Sequence, residues 1–193
     1  MFCFQCEQTA KGSGCTAIGV CGKNASIAAL QDLLLHEAKG VSQYAHRARA
    51  LGAKDPALDQ FVIEALFTTV TNVNFDPVRM WQWLLKGQEL LNAAKKLYTD
   101  ACAKAGQQPD ALGGPATWSL GKDLDAATQQ GEAVGIVKRR EGVDPDITSL
   151  QELLTYGLKG AAAYMEHVRT LGKDADDVYA SFEDHMSYLA EPN

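Results

Sequence analysis

No apolar run in these 193 residues is long enough to cross a bilayer, and the opening Met1-Phe2-Cys3-Phe4 lacks the charged, apolar and small-residue stretches of a secretory leader. A soluble protein is the expectation, and the second absence points to the cytoplasm, where thiols stay reduced. Basic clusters are equally scarce. The net charge is −6, and the one basic run, Lys138-Arg139-Arg140, is followed at once by Glu141. Phosphate binding needs a concentrated basic face, so no nucleic acid partner is expected and the run reads as solvated surface. No membrane partner is expected either. Beyond residue 21 there is one cysteine, Cys102, set among helical apolar residues. It reads as a small buried hydrophobe rather than a ligand. His36, His46, His167 and His185 share no spacing that would clamp a metal, and Trp81, Trp83 and Trp118 read as core packing.

What the chain does have is four cysteines at its start, Cys3, Cys6, Cys15 and Cys21, spaced C-x2-C-x8-C-x5-C. Thiolates are soft ligands, so four of them converging on one point select zinc or an iron–sulfur cluster over hard cations. Two disulfides would need an oxidising compartment. Zinc ribbons usually carry two short C-x2-C knuckles, whereas here one short pair precedes two widely spaced single cysteines. That spacing fits iron–sulfur better, with a zinc-stabilised helical interaction module as the alternative. The loop Thr9-Ala10-Lys11-Gly12-Ser13-Gly14 is small enough to wrap a metal and aim backbone N–H groups inward, and Gly19 and Gly22 continue the pattern around the last two cysteines. With little apolar core of its own, this arm is expected to be ordered chiefly by metal ligation.

Past the arm the pattern is helical. Ile27, Leu30, Leu33, Leu34, Val41, Tyr44, Ala48 and Leu51 recur at steps of three and four, and Gly52 stops the run. A second helix is expected from about Asp59 to Val73. A third opens at Asp76-Pro77 and runs to Ala105-Gly106. Turn formers then cluster over residues 107–122, at Pro109-Asp110 and Gly113-Gly114-Pro115. Beyond them the chain repeats itself. Leu30-Gln31-Asp32-Leu33-Leu34 returns as Leu150-Gln151-Glu152-Leu153-Leu154, and Lys39-Gly40, Tyr44, Arg49 and Leu51-Gly52 return as Lys159-Gly160, Tyr164, Arg169 and Leu171-Gly172, always at an offset of 120. Ser149 and Glu152 have the spacing of a capping box for the repeated helix.

The expected fold class is therefore all-α: two duplicated three-helix bundles, the second incomplete, behind a cysteine-rich arm. The corresponding divisions are an arm at 1–23, a first bundle at 24–106, a linker at 107–122 and a partial second bundle at 123–193. The counterpart of the second helix, from about Asp176 to Leu189, has only Ala190-Glu191-Pro192-Asn193 after it. Lacking a third helix, its stripe of Val178, Phe182, Met186 and Leu189 is expected to face water or a partner, as in a fragment of a longer protein. The alternative is a helical hairpin docked on the first bundle.

Several stretches carry a family resemblance: Met1-Phe2-Cys3-Phe4-Gln5-Cys6-Glu7-Gln8-Thr9, Gly14-Cys15, Val20-Cys21-Gly22-Lys23, Leu30–Leu34, Thr71-Asn72-Val73-Asn74-Phe75-Asp76 and Tyr156–His167. Together they resemble the N-terminal part of the hybrid cluster protein, or prismane, family, also called hydroxylamine reductases. The resemblance implies two helical bundles carrying a conventional cluster, and further domains that hold a hybrid iron–sulfur–oxygen cluster absent from this sequence. Its cysteine spacing resembles members with a 4Fe–4S cubane, which puts the four ligands at Cys3, Cys6, Cys15 and Cys21. The implied reaction is hydroxylamine with two electrons and two protons to ammonia and water, with nitric oxide as a further substrate. The implied electron donor is an NADH-dependent reductase or a ferredoxin-like protein. No catalytic residue is expected within this chain.

Overall fold

The structure, a computed structural model, describes residues 2, 3, 5, 6, 13–71 and 73–191. Among these the regular structure is helical throughout, apart from a single β-bridge between Cys3 and Cys15. The helices are α1 (Ala25–Ala50), α2 (Pro56–Thr68), α3 (Pro77–Ala105), α4 (Leu124–Val134), α5 (Ile136–Arg139), α6 (Pro145–Thr170) and α7 (Asp176–Tyr188), with a 3-10 turn at Gly114–Thr117. The all-α expectation holds. Among the described residues, no helix is long and apolar enough to cross a membrane.

Aspartate followed by proline starts three of these helices. At α2, α3 and α6 the side chain of Asp55, Asp76 or Asp144 accepts from the first free amides while proline occupies the first turn, where its missing N–H costs nothing. This corrects two expectations. Helix α2 begins at Pro56 and ends at Thr68 rather than reaching Val73, because the Thr69 hydroxyl turns back to the Leu66 carbonyl at 2.9 Å and Val70 N–H closes on Phe67 O at 3.0 Å. Ser149 caps nothing: it lies inside α6, donating to Pro145 O at 2.7 Å, and Glu152 is turned toward Arg139.

The repeat is visible in the helix ends. Both α1 and α6 have 26 residues, both α2 and α7 have 13, and each pair begins 120 residues apart. Gly52 and Gly172 close the long helices in the left-handed region, at φ of 79° and 70°. Helices α1, α2 and α3 pack together as a bundle around the wholly buried Leu33, Leu34, Val41, Phe61 and Leu84. The duplicated pair then packs reciprocally, α7 on α1 and α6 on α2. Arg49 of α1 reaches Glu183 of α7 at 2.8 Å, and its repeat mate Arg169 of α6 reaches Glu64 of α2 at 3.2 Å.

That pairing overturns the expected exposure. Phe182, Met186 and Leu189 are buried, because α7 lays its stripe on the first bundle. The open apolar area is on α6 instead, where Leu150, Leu153, Tyr164 and Leu171 are each more than 60% exposed. The turn-rich segment 107–122 also contributes to the packing: Ala116 is buried and its carbonyl accepts from Tyr44 Oη at 3.2 Å. Helix α4 crosses α1 at a point where Gly131 lies against the Ala29 backbone.

Glu37 is the one acid fully buried in the first bundle, and both its carboxylate oxygens lack a hydrogen-bond partner among the described residues. Gly87 of α3 makes the room, since a Cβ there would collide with that carboxyl. Burial pushes the Glu37 pKa up to about 9, so the folded protein keeps the acid neutral. The unfolded chain ionises it near the ordinary carboxylate value, so stability is lost as pH rises through that value toward 9. Glu37→Met is expected to raise thermal stability by roughly 2 kcal/mol at pH 8 and by much less at pH 5. A gain equal at both pH values would show that the carboxyl does not titrate across this range.

Candidate metal centre

The arm folds back on itself through backbone bonds. Phe2 N–H donates to Cys15 O at 2.9 Å and Cys15 N–H to Cys3 O at 2.6 Å, an antiparallel bridge that sets the first and third cysteines side by side. Cys15 is buried, whereas Cys3, Cys6 and Cys21 are half-buried, and all are thiols. The backbone amide of Gln5 lies close enough to the Cys3 sulfur to favour its thiolate. Burial raises the Cys3 pKa overall, against the lowering effects of that amide and of Lys23. Around Cys21 the chain makes a tight turn: Gly22 N–H donates to Gly19 O at 2.8 Å and Gly19 N–H to Lys23 O at 2.7 Å. A Cβ on Gly19 would stand 3.2 Å from the Cys21 sulfur, and Gly22 sits at φ 91°, so glycine lets the backbone close around that thiol.

The structure thus joins Cys3 to Cys15 directly and holds Cys21 in a turn of its own. Among the described residues, no three His, Cys, Asp or Glu side chains converge as a closed metal site. The stretch 9–12 of the loop expected to wrap the metal lies outside the described residues. Cys102 is buried on α3 beside Tyr98, away from the arm. The histidines serve packing and surface roles: His36 sits edge-on to Trp118 at 6.2 Å, with a pKa lowered to about 4 by burial, and His167 sits edge-on to Phe67.

Side chains tie the arm to the bundle more firmly than expected. Lys23, 2% exposed, donates to Gln31 Oε1 at 2.6 Å and Gln5 Oε1 at 3.4 Å. Gln31 passes the chain of bonds to Asn74 O at 2.9 Å, and Gln5 Nε2 to Thr69 O at 3.3 Å. These bonds join the arm to α1 and to the segment between α2 and α3.

Beside Cys3 lies a cavity of about 50 Å³ between the arm, α1, α4–α5 and α6. Its charged lining is Lys23, Lys39, Arg139 and Lys159 against Asp32 and Glu152. Arg139 pairs with Glu152, whose other oxygen accepts from Tyr156 Oη at 3.0 Å. Arg139 is therefore not the solvated residue its basic run suggested. Burial lowers Lys39 and Lys159 to about 8 and raises Asp32 to about 6. The sequence held a signal for this site in the repeat itself: Lys39 with Lys159, and Asp32 with Glu152, are charged positions retained at the same offset on two amphipathic helices.

The sequence matches the Prismane/CO dehydrogenase family over residues 1–192. It is 47% identical over 191 residues to a hydroxylamine reductase of Rhodospirillum rubrum, covering 99% of this chain and 35% of that protein. It is 48% identical to one of Geobacter sulfurreducens, covering the whole chain and again 35% of the relative, and 41% identical to one of Acidithiobacillus ferrooxidans. The chain spans about a third of the length of the curated relatives it matches. A match along nearly the whole sequence, including the cysteine arm and both copies of the repeat, makes this chain a member of the Prismane/CO dehydrogenase family.

Proposed function

We propose that Cys3, Cys6, Cys15 and Cys21 hold a 4Fe–4S cluster and that this chain is the electron-relay part of a hydroxylamine reductase. The observation that carries the reading is the Cys3–Cys15 bridge, which sets two of the four cysteines of the C-x2-C-x8-C-x5-C string side by side. The donor set fits the group: four soft thiols, an amide already aimed at the Cys3 sulfur, and a glycine pressed against the Cys21 sulfur. When bound, such a cluster supplies one-electron transfer at a potential set by its surroundings. This chain's own groups do the rest. The thiolates would hold the iron, the Gln5 backbone amide would tune the Cys3 sulfur, and the Lys23–Gln31–Asn74 bonds fix the arm against α1 and the turn before α3.

Reduction of hydroxylamine to ammonia and water, with nitric oxide as a second substrate, is assigned to a hybrid iron–sulfur–oxygen cluster in the length that the relatives have beyond this match. Electrons would come from an NADH-dependent reductase or a ferredoxin-like protein in the cytoplasm. The test is anaerobic reconstitution, iron and sulfide counting and visible absorption, followed by an ammonia assay with reduced viologen and hydroxylamine. A brown protein that cycles electrons but forms no ammonia supports the reading. A colourless zinc protein would overturn the cluster, and sustained turnover would place the catalytic centre in this chain.

A further inference from the structure

We propose that the cavity beside Cys3 is a counter-charge chamber for the cluster, in which Lys39, Lys159 and Arg139 raise its reduction potential and Asp32 moderates them. The inference rests on the cluster reading above. It begins from an imbalance, since four cations and two carboxylates line the space. Among the described residues, Arg139 is the one of these cations with a carboxylate in ion-pair contact. Lys159 donates to the Thr69 carbonyl at 3.1 Å and Lys23 to amide oxygens, all neutral acceptors. Lys39 makes no hydrogen bond or ion pair with the described residues. Desolvation outweighs the pull of Asp32 and Glu152 on the Lys39 and Lys159 ammonium groups, and packing alone would be served better by methionine or leucine.

The missing negative charge has a natural place. Cys3 lines the same cavity, and both Lys159 and Asp32 lie close enough to interact electrostatically with its sulfur. Four thiolates around an iron–sulfur core carry net negative charge, and net charge is one of the settings of such a centre's potential. The repeat strengthens the case. Lys39 and Asp32 on α1, and their mates Lys159 and Glu152 on α6, all face one space, so the duplication has delivered both copies of the same charged pair to a single chamber. A solvated helix face would not gather them there. Positive charge favours the more negative, reduced state, and burial keeps salt from screening it.

The experiment is potentiometric titration of anaerobically reconstituted protein at pH 7, with iron and sulfide counted in every variant. Lys39→Met and Lys159→Met are expected to lower the midpoint potential, and Asp32→Asn to raise it, at unchanged iron content. The opposite signs separate charge from mere disturbance. A second readout needs no cluster: in iron-free protein Lys39→Met should raise the unfolding temperature, because it removes an ammonium whose desolvation outweighs the attraction of Asp32 and Glu152. Unshifted potentials at full iron, a shift of the same sign in all three variants, or a destabilised iron-free Lys39→Met would each overturn the chamber while leaving the cluster reading intact. Wild-type protein that binds no iron would overturn both.

Discussion

Serine at Cys15 is expected to strip most of the iron from anaerobically reconstituted protein, whereas serine at Cys102 leaves iron content and visible spectrum unchanged. Cys15 is the buried cysteine of the arm and its backbone is bonded on both sides of the bridge, so its side chain is the least able to be replaced by a neighbour. A hydroxyl is a harder and poorer partner for an iron–sulfur centre than a thiolate. Serine at Cys3, Cys6 or Cys21 is expected to cost iron as well, or to convert the cluster. Cys102 makes its contacts with Tyr98 inside the α3 face, so its exchange for serine costs only the burial of a small polar group, on the order of 1 kcal/mol. Iron retained by Cys15→Ser and lost by Cys102→Ser would reverse the assignment. Iron counting with absorption decides it, and circular dichroism confirms that the helices persist.

The long helices were legible because their signals are local and redundant. Asp76-Pro77 at one end and Ala105-Gly106 at the other framed α3 to the residue, and the offset of 120 carried α1 onto α6. What was not legible depended on neighbours. The stripe of α7 shows which face is apolar but not that α1 lies against it, and so its exposure was misjudged while Leu150, Leu153 and Tyr164 of α6 were left open instead. Helix α4 escaped because it is short and buries only Ala127 and Gly131, too few apolar positions for periodicity to register. Spacing nominated the four cysteines as a candidate site, of which the structure brings Cys3 and Cys15 side by side. Spacing did not nominate its charged surroundings, since a lysine in a turn or on an amphipathic helix reads as solvated until the fold shows that Lys23 and Lys159 are buried.

Gly131→Ala is expected to destabilise the protein by on the order of 3 kcal/mol, the upper part of the range for overpacking a tight contact. Its added methyl would overlap the carbonyl of Ala29, which is main chain in a helix anchored by the buried Leu30, Leu33 and Leu34. Helix α1 cannot yield, so α4 must move. That motion reaches the site, because Phe2, Asp32, Gly131 and Ile136 line one adjoining space and α5, carrying Arg139, follows α4 directly. The expected result is therefore a lower denaturation midpoint together with weaker retention of iron by the arm. Gly157→Ala on α6 is the matched control: nothing lies within 4 Å of its Cβ position, so helix propensity alone should act and stabilise by roughly 0.5–1 kcal/mol. Denaturant titrations of the two variants, with the slope required to stay constant, measure the difference. Equal effects of the two alanines would mean that α4 does not seat on Ala29, and that the wall it gives the cavity is placed by something other than this glycine.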